Sequence, residues 1–313
     1  MLNESLASAE LLPKRQRAKD LGLVLTTRQG HAREITAGLL EQYSAEYNDH
    51  PHDNKPFYLI ITAGGDGTSR EVMGELFKAP EHISKDFAIL RLPMGTGNDG
   101  ADAWDLDGAL NLLIKPSELR RQRAVQLRTA RGGEIHRAFN ILSLGLDAFV
   151  THMTNKMKNV LPGDFYKLWI DLAALFYDRM FKVGPWDVQS RDEEGNETLA
   201  FRQKLLLLAV GESGRRSYGS RKWILPDERN ICAISHMSLL RRIALKGSLA
   251  YGSHIDQKES LLWNAHEVEV NSRYPLLAQM DGETIKLEPD DFPVTIYLSE
   301  PVIQILGPKT AGI

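Results

Sequence analysis

A glycine-rich loop between an apolar run and a helix-like pattern constrains this chain more than any other stretch. The run at residues 57–61 has the length and composition of a buried parallel strand. It ends in the turn at residues 64–67, where three glycines surround the single carboxylate of Asp66. Thr68 predicts a helix N-cap, and Glu71, three residues later, completes a capping box. The pattern therefore places the loop between a strand end and a helix N terminus.

Such a position favours a bound anion. Backbone N–H groups and the helix dipole point out of a helix N terminus, and glycines let the backbone approach a phosphate closely. Asp66 is unexpected there, because a carboxylate is repelled by phosphates unless a cation lies between them or the carboxylate holds a hydroxyl. Asp66 therefore indicates a metal–nucleotide site. The alternative is a glycine-rich turn in which Asp66 is a surface turn residue.

A second glycine-rich loop follows the next predicted strand. Residues 87–92 form an apolar run, and the loop at 93–99 carries hydroxyl, amide and carboxylate groups ahead of a helix-like segment at 100–113. Open α/β sheets place ligands along the edge where such strands end. Thr96, Asn98 and Asp99 could therefore hold a ribose, a phosphate or the Asp66 side of the site. The alternative is a purely structural role, in which Asn98 or Asp99 forms an Asx turn that caps the helix. Such a turn does not exclude the binding of a nucleotide.

The flanking patterns suggest two domains. Residues 21–26 predict a strand and residues 32–43 a helix, so a β-α-β unit precedes the first loop. Beyond residue 117, alternating segments predict a mostly antiparallel β domain that begins with a hairpin at 124–144. We place the boundary so that residues 1–133 form the first domain and residues 134–300 the second.

Length, charge and cysteine content narrow the kind of protein that this chain can be. A chain of 313 residues favours two domains, and a formal net charge of -3 gives no reason to expect a nucleic-acid partner. The single cysteine, Cys232, excludes an intramolecular disulfide and lies in an apolar run, where packing is expected rather than reactivity. The start of the chain lacks the apolar core of a signal peptide, and no apolar run is long enough for a bilayer. We expect a soluble, cytoplasmic protein.

The second predicted domain contains a pair of carboxylates at a strand turn. Asp281 and Glu283 flank Gly282, a pattern that is common in ordinary hairpins. Next to a phosphate site, either carboxylate becomes a candidate base, because a hydroxyl acceptor must lose its proton during phosphoryl transfer. The residues alone do not choose between the two.

Four motifs, in order, resemble the diacylglycerol kinase catalytic-domain family, which includes bacterial diacylglycerol and other lipid kinases and the sphingosine kinases. Residues 63–68 resemble the family's nucleotide loop, and residues 93–99 its Gly-Thr-x-Asn-Asp motif. Residues 139–148 resemble the segment that enters its second domain, and residues 281–283 its Asp-Gly-Glu motif. More distantly, the first loop is similar to those of NAD kinases and phosphofructokinases.

The resemblance implies an N-terminal α/β nucleotide domain of the NAD kinase and diacylglycerol kinase type and a C-terminal, mainly antiparallel β-sandwich domain. It implies an active site in the cleft between them, and a return of residues 301–313 to the first domain. It further implies an ATP- and Mg²⁺-dependent kinase that phosphorylates a lipid hydroxyl, such as that of diacylglycerol or a long-chain base. The lipid would be met at the inner membrane surface, and a homodimer is compatible with the pattern.

The resemblance also assigns roles to residues. Asp66 is the predicted metal ligand, Glu283 the favoured general base, and Asp281 its rival or hydrogen-bonded partner. The predicted ATP-binding residues come from the two loops: Gly64, Gly65, Asp66, Gly67, Thr68, Gly95, Thr96, Asn98 and Asp99.

The chain departs from the family pattern in two places. Residues 26–31 replace the Asn-Pro that usually ends the first strand. Many bacterial members also carry an Asp-Asp-Gly segment that holds a structural magnesium, whereas here Arg229 follows Asp227 and Glu228. An arginine opposes a bound cation.

Two other functions remain open on the sequence. One is a kinase for a soluble hydroxyl acceptor, as in NAD kinases, and the other is a nucleotide-binding module without turnover. A kinase recruited to membranes should expose basic and aromatic residues, although an ordinary solvated helix end has a similar composition. The candidates are Lys156, Lys158, Phe165, Tyr166, Lys167 and Trp169.

Overall fold

The computed structural model describes residues 21–47, 55–95, 98–114, 117–157, 177–218 and 222–308. The chain divides into two compact units, one of Met1–Arg123 with Glu300–Ile313 and the other of Ala124–Ser299. The boundary predicted after residue 133 differs from this division, because a strand at Val125–Arg128 pairs with strands of the second unit.

The described helices, in chain order, are α1 (His31–Glu46), α2 (Asp66–Lys78), α3 (Glu81–Ser84), α4 (Leu106–Ile114), α5 (Leu146–Met157), α6 (Tyr177–Met180) and α7 (Leu239–Tyr251). The described strands are β1 (Tyr58–Gly64), β2 (Phe87–Pro93), β3 (Ser117–Gln122), β4 (Val125–Arg128), β5 (His136–Ala138), β6 (Ile141–Gly145), β7 (Pro185–Arg191), β8 (Glu197–Gly211), β9 (Arg216–Tyr218), β10 (Lys222–Leu225), β11 (Ile231–Ser235), β12 (Ser260–Trp263), β13 (Glu267–Ser272), β14 (Leu276–Met280), β15 (Glu283–Leu287), β16 (Val294–Leu298) and β17 (Ile303–Pro308). Two short 3-10 helices lie at Ser253–Asp256 and Pro289–Asp291.

The first unit is an α/β domain, as the sequence predicts. Its sheet has the strand order β1-β2-β17-β3, with β1, β2 and β17 parallel and β3 antiparallel to β17. β2 is buried along almost its whole length because it lies between two strands and is packed against helix α4. Parallel strands covered in this way have continuous apolar sequences, which is why the run at 87–92 predicts a strand correctly.

The strand predicted at residues 21–26 is wrong. The structure assigns no strand there, and Leu23, Val24 and Leu25 are 85%, 63% and 74% exposed. An apolar run forms a strand only where a neighbour completes its ladder of hydrogen bonds, and among the described residues β1 pairs with β2 alone. The helix that follows is present as α1.

A buried ion pair fixes the segment that follows the second glycine-rich loop. Arg91 of β2 donates from Nη2 to Asp102 Oδ1 at 2.5 Å, and its backbone N–H donates to the same carboxylate at 2.7 Å. The two side chains are only 4% and 3% exposed. Arg91 also donates to Gln122 of β3 at 3.2 Å, so the pair connects the loop to two strands of the sheet.

Replacing Asp102 with asparagine should lower the free energy of unfolding by about 3–5 kcal/mol, because it leaves the guanidinium buried without its counter-charge. Urea unfolding measures the change. Glu81→Gln is the matched control, since its pair with Arg121 is 74% and 51% exposed and should contribute less than about 1 kcal/mol. Equal effects of the two substitutions would contradict this account of the loop.

The second unit is built on an antiparallel sheet, which confirms the predicted β domain. The strand order is β15-β14-β6-β8-β7-β13-β16-β4-β5, and β11 pairs with both β8 and β12. Alternating side chains form its main core, which includes Leu127, Val188, Leu208, Val270 and Ile296. This arrangement places the β14–β15 hairpin at one end of the sheet order.

Several predicted elements differ in detail. The helix expected at 100–113 begins only at Leu106. The second arm of the hairpin expected at 124–144 is divided into β5 and β6, and β6 pairs with β14 and β8. Helix α7 has no counterpart among the sequence predictions. Apolar residues at helical spacing also predict a helix at 164–181, a range that lies mostly outside the described residues. In the described part of the chain, no helix is long and apolar enough to cross a membrane.

Cys232 of β11 is packed in the core, as the sequence predicts. Burial raises the pKa of its thiol to about 12. The thiol therefore stays protonated near neutral pH, and only the thiolate reacts rapidly with alkylating agents. We expect iodoacetamide to label the native protein no faster than the chain unfolds, with labelling following the urea transition. Rapid labelling without denaturant would contradict the packing of β11.

Candidate active site

The two glycine-rich loops meet at one edge of the first sheet. β1 and β2 run parallel with Gly64 opposite Pro93, so both loops leave the sheet on the same side. A Cβ added to Gly95 would lie 2.3 Å from the Cα of Gly65, which no side chain can tolerate without movement of the backbone. Glycine at position 95 is therefore a requirement of the loop–loop contact, whereas a Cβ on Gly65 would lie 3.5 Å from the Gly95 Cα, an ordinary contact.

Asp66 joins the two loops. Its carboxylate accepts hydrogen bonds from the backbone N–H groups of Asp99 at 3.2 Å and Gly100 at 3.0 Å. Within the second loop, Asn98 adopts φ 54° and its side-chain oxygen accepts a 2.6 Å hydrogen bond from the N–H of Gly95. The sequence predicts that Asp66, Asn98 and Asp99 share a site, and the structure brings these residues together. Thr96 lies outside the described residues.

Helix α2 starts earlier than its sequence predicts. It begins at Asp66 with Gly65 as N-cap, and no side chain caps it. The capping box predicted from Thr68 and Glu71 is wrong, because the Glu71 carboxylate accepts from the backbone of Gly30 at 2.7 Å, at the start of α1. The glycine-rich loop thus leads directly into a helix N terminus that has the character of an anion site.

The protein leaves space for a side chain at Gly67, in the first turn of α2. A Cβ added to Gly67 would meet no atom within 4 Å, so the fold itself does not require glycine there. Gly64 differs, since a Cβ on it would lie 3.0 Å from the hydroxyl oxygen of Thr68. At Gly67, therefore, a ligand rather than the protein can explain the missing side chain.

In the second unit, Asp281 and Gly282 form the turn of the β14–β15 hairpin. Both have positive φ, 46° and 91°, and Met280 pairs with Glu283 across the turn. Two central residues with positive φ define the tight turn that suits the twist of a hairpin. The predicted strand turn is therefore present.

The two carboxylates of this hairpin have different surroundings. The Asp281 carboxylate accepts hydrogen bonds from the backbone N–H groups of Phe139, Asn140 and Ile141, the last two at 3.1 and 3.0 Å. Asp281 thereby joins the turn to the segment ahead of β6. The Glu283 side chain is exposed on the hairpin. Sequence reasoning could not separate the two roles, because the backbone donors come from residues about 140 positions away.

Helix α5 packs beside the same hairpin. Asn155 donates to the carbonyl oxygen of Gly282 at 2.8 Å, and His152 Nδ1 lies 3.1 Å from the Thr284 hydroxyl. Burial, and then the charge of Lys156, lowers the pKa of His152. The imidazole is therefore neutral at pH 7 and can exchange a hydrogen bond with Thr284 in either direction.

A buried polar network behind the hairpin was missed from the sequence. Gln279 donates to Ser143 at 3.0 Å and to Asp147 at 3.1 Å, and the Ser143 hydroxyl donates to the same carboxylate. All three side chains are buried. The network connects β14 to β6 and α5. Its member in β14, Gln279, lies two residues before Asp281. Its members are polar positions inside apolar strand and helix patterns, and that is the signal that could have identified them.

Arg229 binds the Asp227 carboxylate, which lies in the segment where many family members hold a structural magnesium. Its Nε donates to both oxygens of Asp227, at 3.0 and 2.9 Å, and its backbone N–H donates to one of them at 2.9 Å. These hydrogen bonds hold the pKa of Asp227 below its usual range. Among the residues that the structure describes, no three His, Cys, Asp or Glu side chains cluster as metal ligands.

One of the six residues predicted for membrane recruitment, Lys156, is exposed near the end of α5. The other five candidates, Lys158, Phe165, Tyr166, Lys167 and Trp169, lie outside the described residues.

Comparison with known proteins connects these features to a family. Residues 4–130 match the model of the diacylglycerol kinase catalytic domain. A protein of Yersinia enterocolitica named "Probable lipid kinase YegS-like" is 36% identical over 112 residues, 34% of this chain and 35% of that relative's length. A protein of the same name from Pseudomonas fluorescens is 27% identical over 300 residues, 92% of this chain and 85% of that relative.

Solved structures share the architecture. A diacylglycerol kinase from Bacillus anthracis str. Sterne superposes with a TM-score of 0.55 at 14% identity, over 98% of this chain and 92% of that one. Two further structures from the same organism give TM-scores of 0.59 and 0.60, at 17% and 16% identity. At these identities the likeness shows the fold, an α/β domain followed by a domain rich in antiparallel sheet.

The family-model match and the lipid kinase names of the relatives identify the class of the protein as a kinase. More particularly, residues 4–130 match the diacylglycerol kinase catalytic domain, and the resemblance to that family is confirmed.

Proposed function

We propose that this protein transfers the γ-phosphoryl group of ATP to a hydroxyl of a lipid, such as diacylglycerol or a long-chain base, with Mg²⁺ as cofactor. The observation that carries the proposal is the contact of Gly65 with Gly95 and the hydrogen bonds by which Asp66 joins the two loops. Two backbone segments without side chains meet there beside an uncapped helix N terminus. This combination suits a polyphosphate, which needs close backbone approach and N–H donors.

Asp66 fits a magnesium ion without giving up its structural bonds. Each carboxylate oxygen accepts one backbone N–H, and a carboxylate has about four lone-pair positions. Magnesium commonly takes one or two carboxylates together with waters and substrate phosphates, so a cluster of protein ligands is not required. When bound, the ion would neutralise charge on the phosphates. In this proposal Asp66 holds the loops in place and orients the cation.

Glu283 is the proposed general base, and it accepts the proton of the lipid hydroxyl as the phosphoryl group is transferred. The Glu283 side chain is exposed, which supports this role. The Asp281 carboxylate accepts from three backbone N–H groups, which supports a structural role for that residue. Asp281 is accordingly a positioning residue, which holds the hairpin that carries Glu283. The predicted site in a cleft between the domains remains a prediction.

The proposal is tested by Asp66→Ala in an assay of ATP-dependent phosphorylation of diacylglycerol or a long-chain base. We expect activity to be lost while circular dichroism still reports a folded protein. Asp107→Ala, which removes an exposed carboxylate of the same unit, should keep wild-type activity. Full activity in the Asp66 variant would refute the site.

A further inference from the structure

Helix α7 presents an apolar face to solvent. Leu240, Ile243 and Tyr251 are 80%, 52% and 86% exposed, and the same face includes Ala244 and Gly247. Where the structure describes side chains of this helix, every exposed residue is apolar, with Leu239 at one end. A helix on the surface of a globular protein normally turns polar residues outward, so this pattern indicates a face that is covered in use.

The opposite face fixes the helix to the second unit. Arg242 is 7% exposed and donates to Asp178 and to the carbonyl oxygen of Met237. Leu249 packs against the apolar cluster that contains Cys232. The exposed apolar residues are therefore held in place on a fixed helix, and the helix cannot bury them by rotating.

The segment of the chain that contains α7 is basic. Residues 215–259 contain nine Lys and Arg against four Asp and Glu, although the whole chain has a formal net charge of -3. Five of the arginines form ion pairs, with Asp178, Glu212, Asp227, Glu228 and Glu259, so the excess positive charge comes from Arg221, Lys222, Lys246 and Lys258. A polar cavity of about 770 Å³ lies at the start of the helix, and its charged lining residues are Arg241, Lys258 and Glu259. Arg241 is paired with Glu259 at 2.9 Å, whereas the Lys258 side chain is exposed at the cavity.

We propose that α7 docks the protein on a membrane surface that contains anionic lipids. Leu240, Ile243 and Tyr251 enter the boundary between headgroups and acyl chains, and the basic segment at 215–259 faces the lipid phosphates. An apolar helix face combined with local positive charge is the composition by which peripheral helices bind anionic bilayers. The inference rests on the proposed function for its purpose, since a lipid kinase must reach an acceptor held in a bilayer.

Vesicle sedimentation without ATP or acceptor tests the docking. Full-length protein is mixed with vesicles of phosphatidylcholine and phosphatidylglycerol in equal parts, and with phosphatidylcholine alone. The double variant Leu240→Ser, Ile243→Ser should lower partitioning onto the mixed vesicles by at least about tenfold. Leu23→Ser is the matched control, because Leu23 is 85% exposed in the first unit, and it should bind as the wild type does.

Charge is tested separately by Lys258→Gln, which should weaken binding to the mixed vesicles about fivefold and leave the weak binding to phosphatidylcholine unchanged. Wild-type binding by the double variant overturns the proposal. It is also overturned if light scattering shows a wild-type dimer that the double variant dissociates while vesicle binding persists, because a second copy would then cover α7.

The outcomes separate this inference from the proposed function. Docking that is lost in the double variant, in a protein that phosphorylates no lipid, would support the docking surface and refute the lipid kinase. Conversely, the wild-type protein could phosphorylate diacylglycerol in detergent micelles while the double variant still binds the mixed vesicles. That result would support the lipid kinase and refute the docking surface.

Discussion

Replacing Glu283 with glutamine is expected to lower kcat for lipid phosphorylation about a thousandfold, the usual contribution of a well-placed general base. The amide keeps the size of the side chain and cannot take a proton at neutral pH. The thermal unfolding midpoint should stay at the wild-type value, because the side chain is exposed on the β14–β15 hairpin. Initial rates at saturating ATP and acceptor, together with a thermal melt, measure both quantities.

Asp281→Asn is the matched comparison, two residues away in the same turn. It replaces an acceptor of three backbone hydrogen bonds with an amide whose NH₂ group would face N–H donors. The amide oxygen of Asn can still accept part of these bonds. We therefore expect the free energy of unfolding to fall by about 2–4 kcal/mol, which corresponds to the loss of one or two hydrogen bonds to a charged group at about 1.5–3 kcal/mol each. A stable Asp281→Asn protein without activity, beside an active Glu283→Gln protein, would reverse the assigned roles.

Replacing Gly67 with alanine is expected to weaken ATP binding about 10- to 100-fold, as expected for a lost hydrogen bond to a charged phosphate. A Cβ at this position meets no protein atom within 4 Å, so any loss must come from the ligand. The fold should be unaffected or slightly more stable, because alanine restricts the unfolded chain. Isothermal titration with ATP and Mg²⁺, and a thermal melt without ligand, provide the two measurements.

Gly74→Ala is the control in the same helix. Its Cβ also meets nothing within 4 Å, and it lies two turns from the loop. It should share any gain in stability and leave ATP affinity unchanged. Gly95→Ala differs from both, because its Cβ would collide with the Gly65 backbone, and we expect a loss of about 1–3 kcal/mol in stability. Equal ATP affinity in the Gly67 and Gly74 variants would argue against a phosphate at the loop.

The parts of the site that could be predicted are those encoded locally. Glycines and a carboxylate between an apolar run and a helix pattern occur within a few residues, so the loop at Asp66 and the hairpin at Asp281 are visible in the sequence alone. Cys232 was placed correctly for the same reason, since an apolar run on both sides of a thiol indicates burial. The second domain followed from the alternation of its strands.

The failures involve partners that lie far away in the chain. Residues 21–26 have the composition of a strand, but pairing decides whether a strand forms, and no ladder reaches them in the described structure. Glu71 has the spacing of a capping box, but its carboxylate is taken by Gly30. The roles of Asp281 and Glu283 could not be separated, because the three N–H groups that bind Asp281 come from a distant segment.

Helix α7 was missed for a different reason. Among the side chains that the structure describes, its exposed residues are apolar and include Gly247, whereas Arg242 is buried. The polar residues of the sequence therefore do not mark the solvent-facing side, as they usually do in a surface helix. The feature that concealed the helix from pattern analysis is the same one that suggests its docking role. A locally inconsistent pattern of this kind is commonly found at functional surfaces.

The measurement that tests the lipid kinase most directly is the incubation of the protein with γ-labelled ATP, Mg²⁺ and a total lipid extract, followed by extraction into organic solvent. The account predicts label in the organic phase, in a product whose chromatographic mobility is that of a phosphorylated diacylglycerol or long-chain base, and no such label with Glu283→Gln. Label that stays entirely in the aqueous phase, transferred to a soluble acceptor such as NAD or left on ATP, would contradict it.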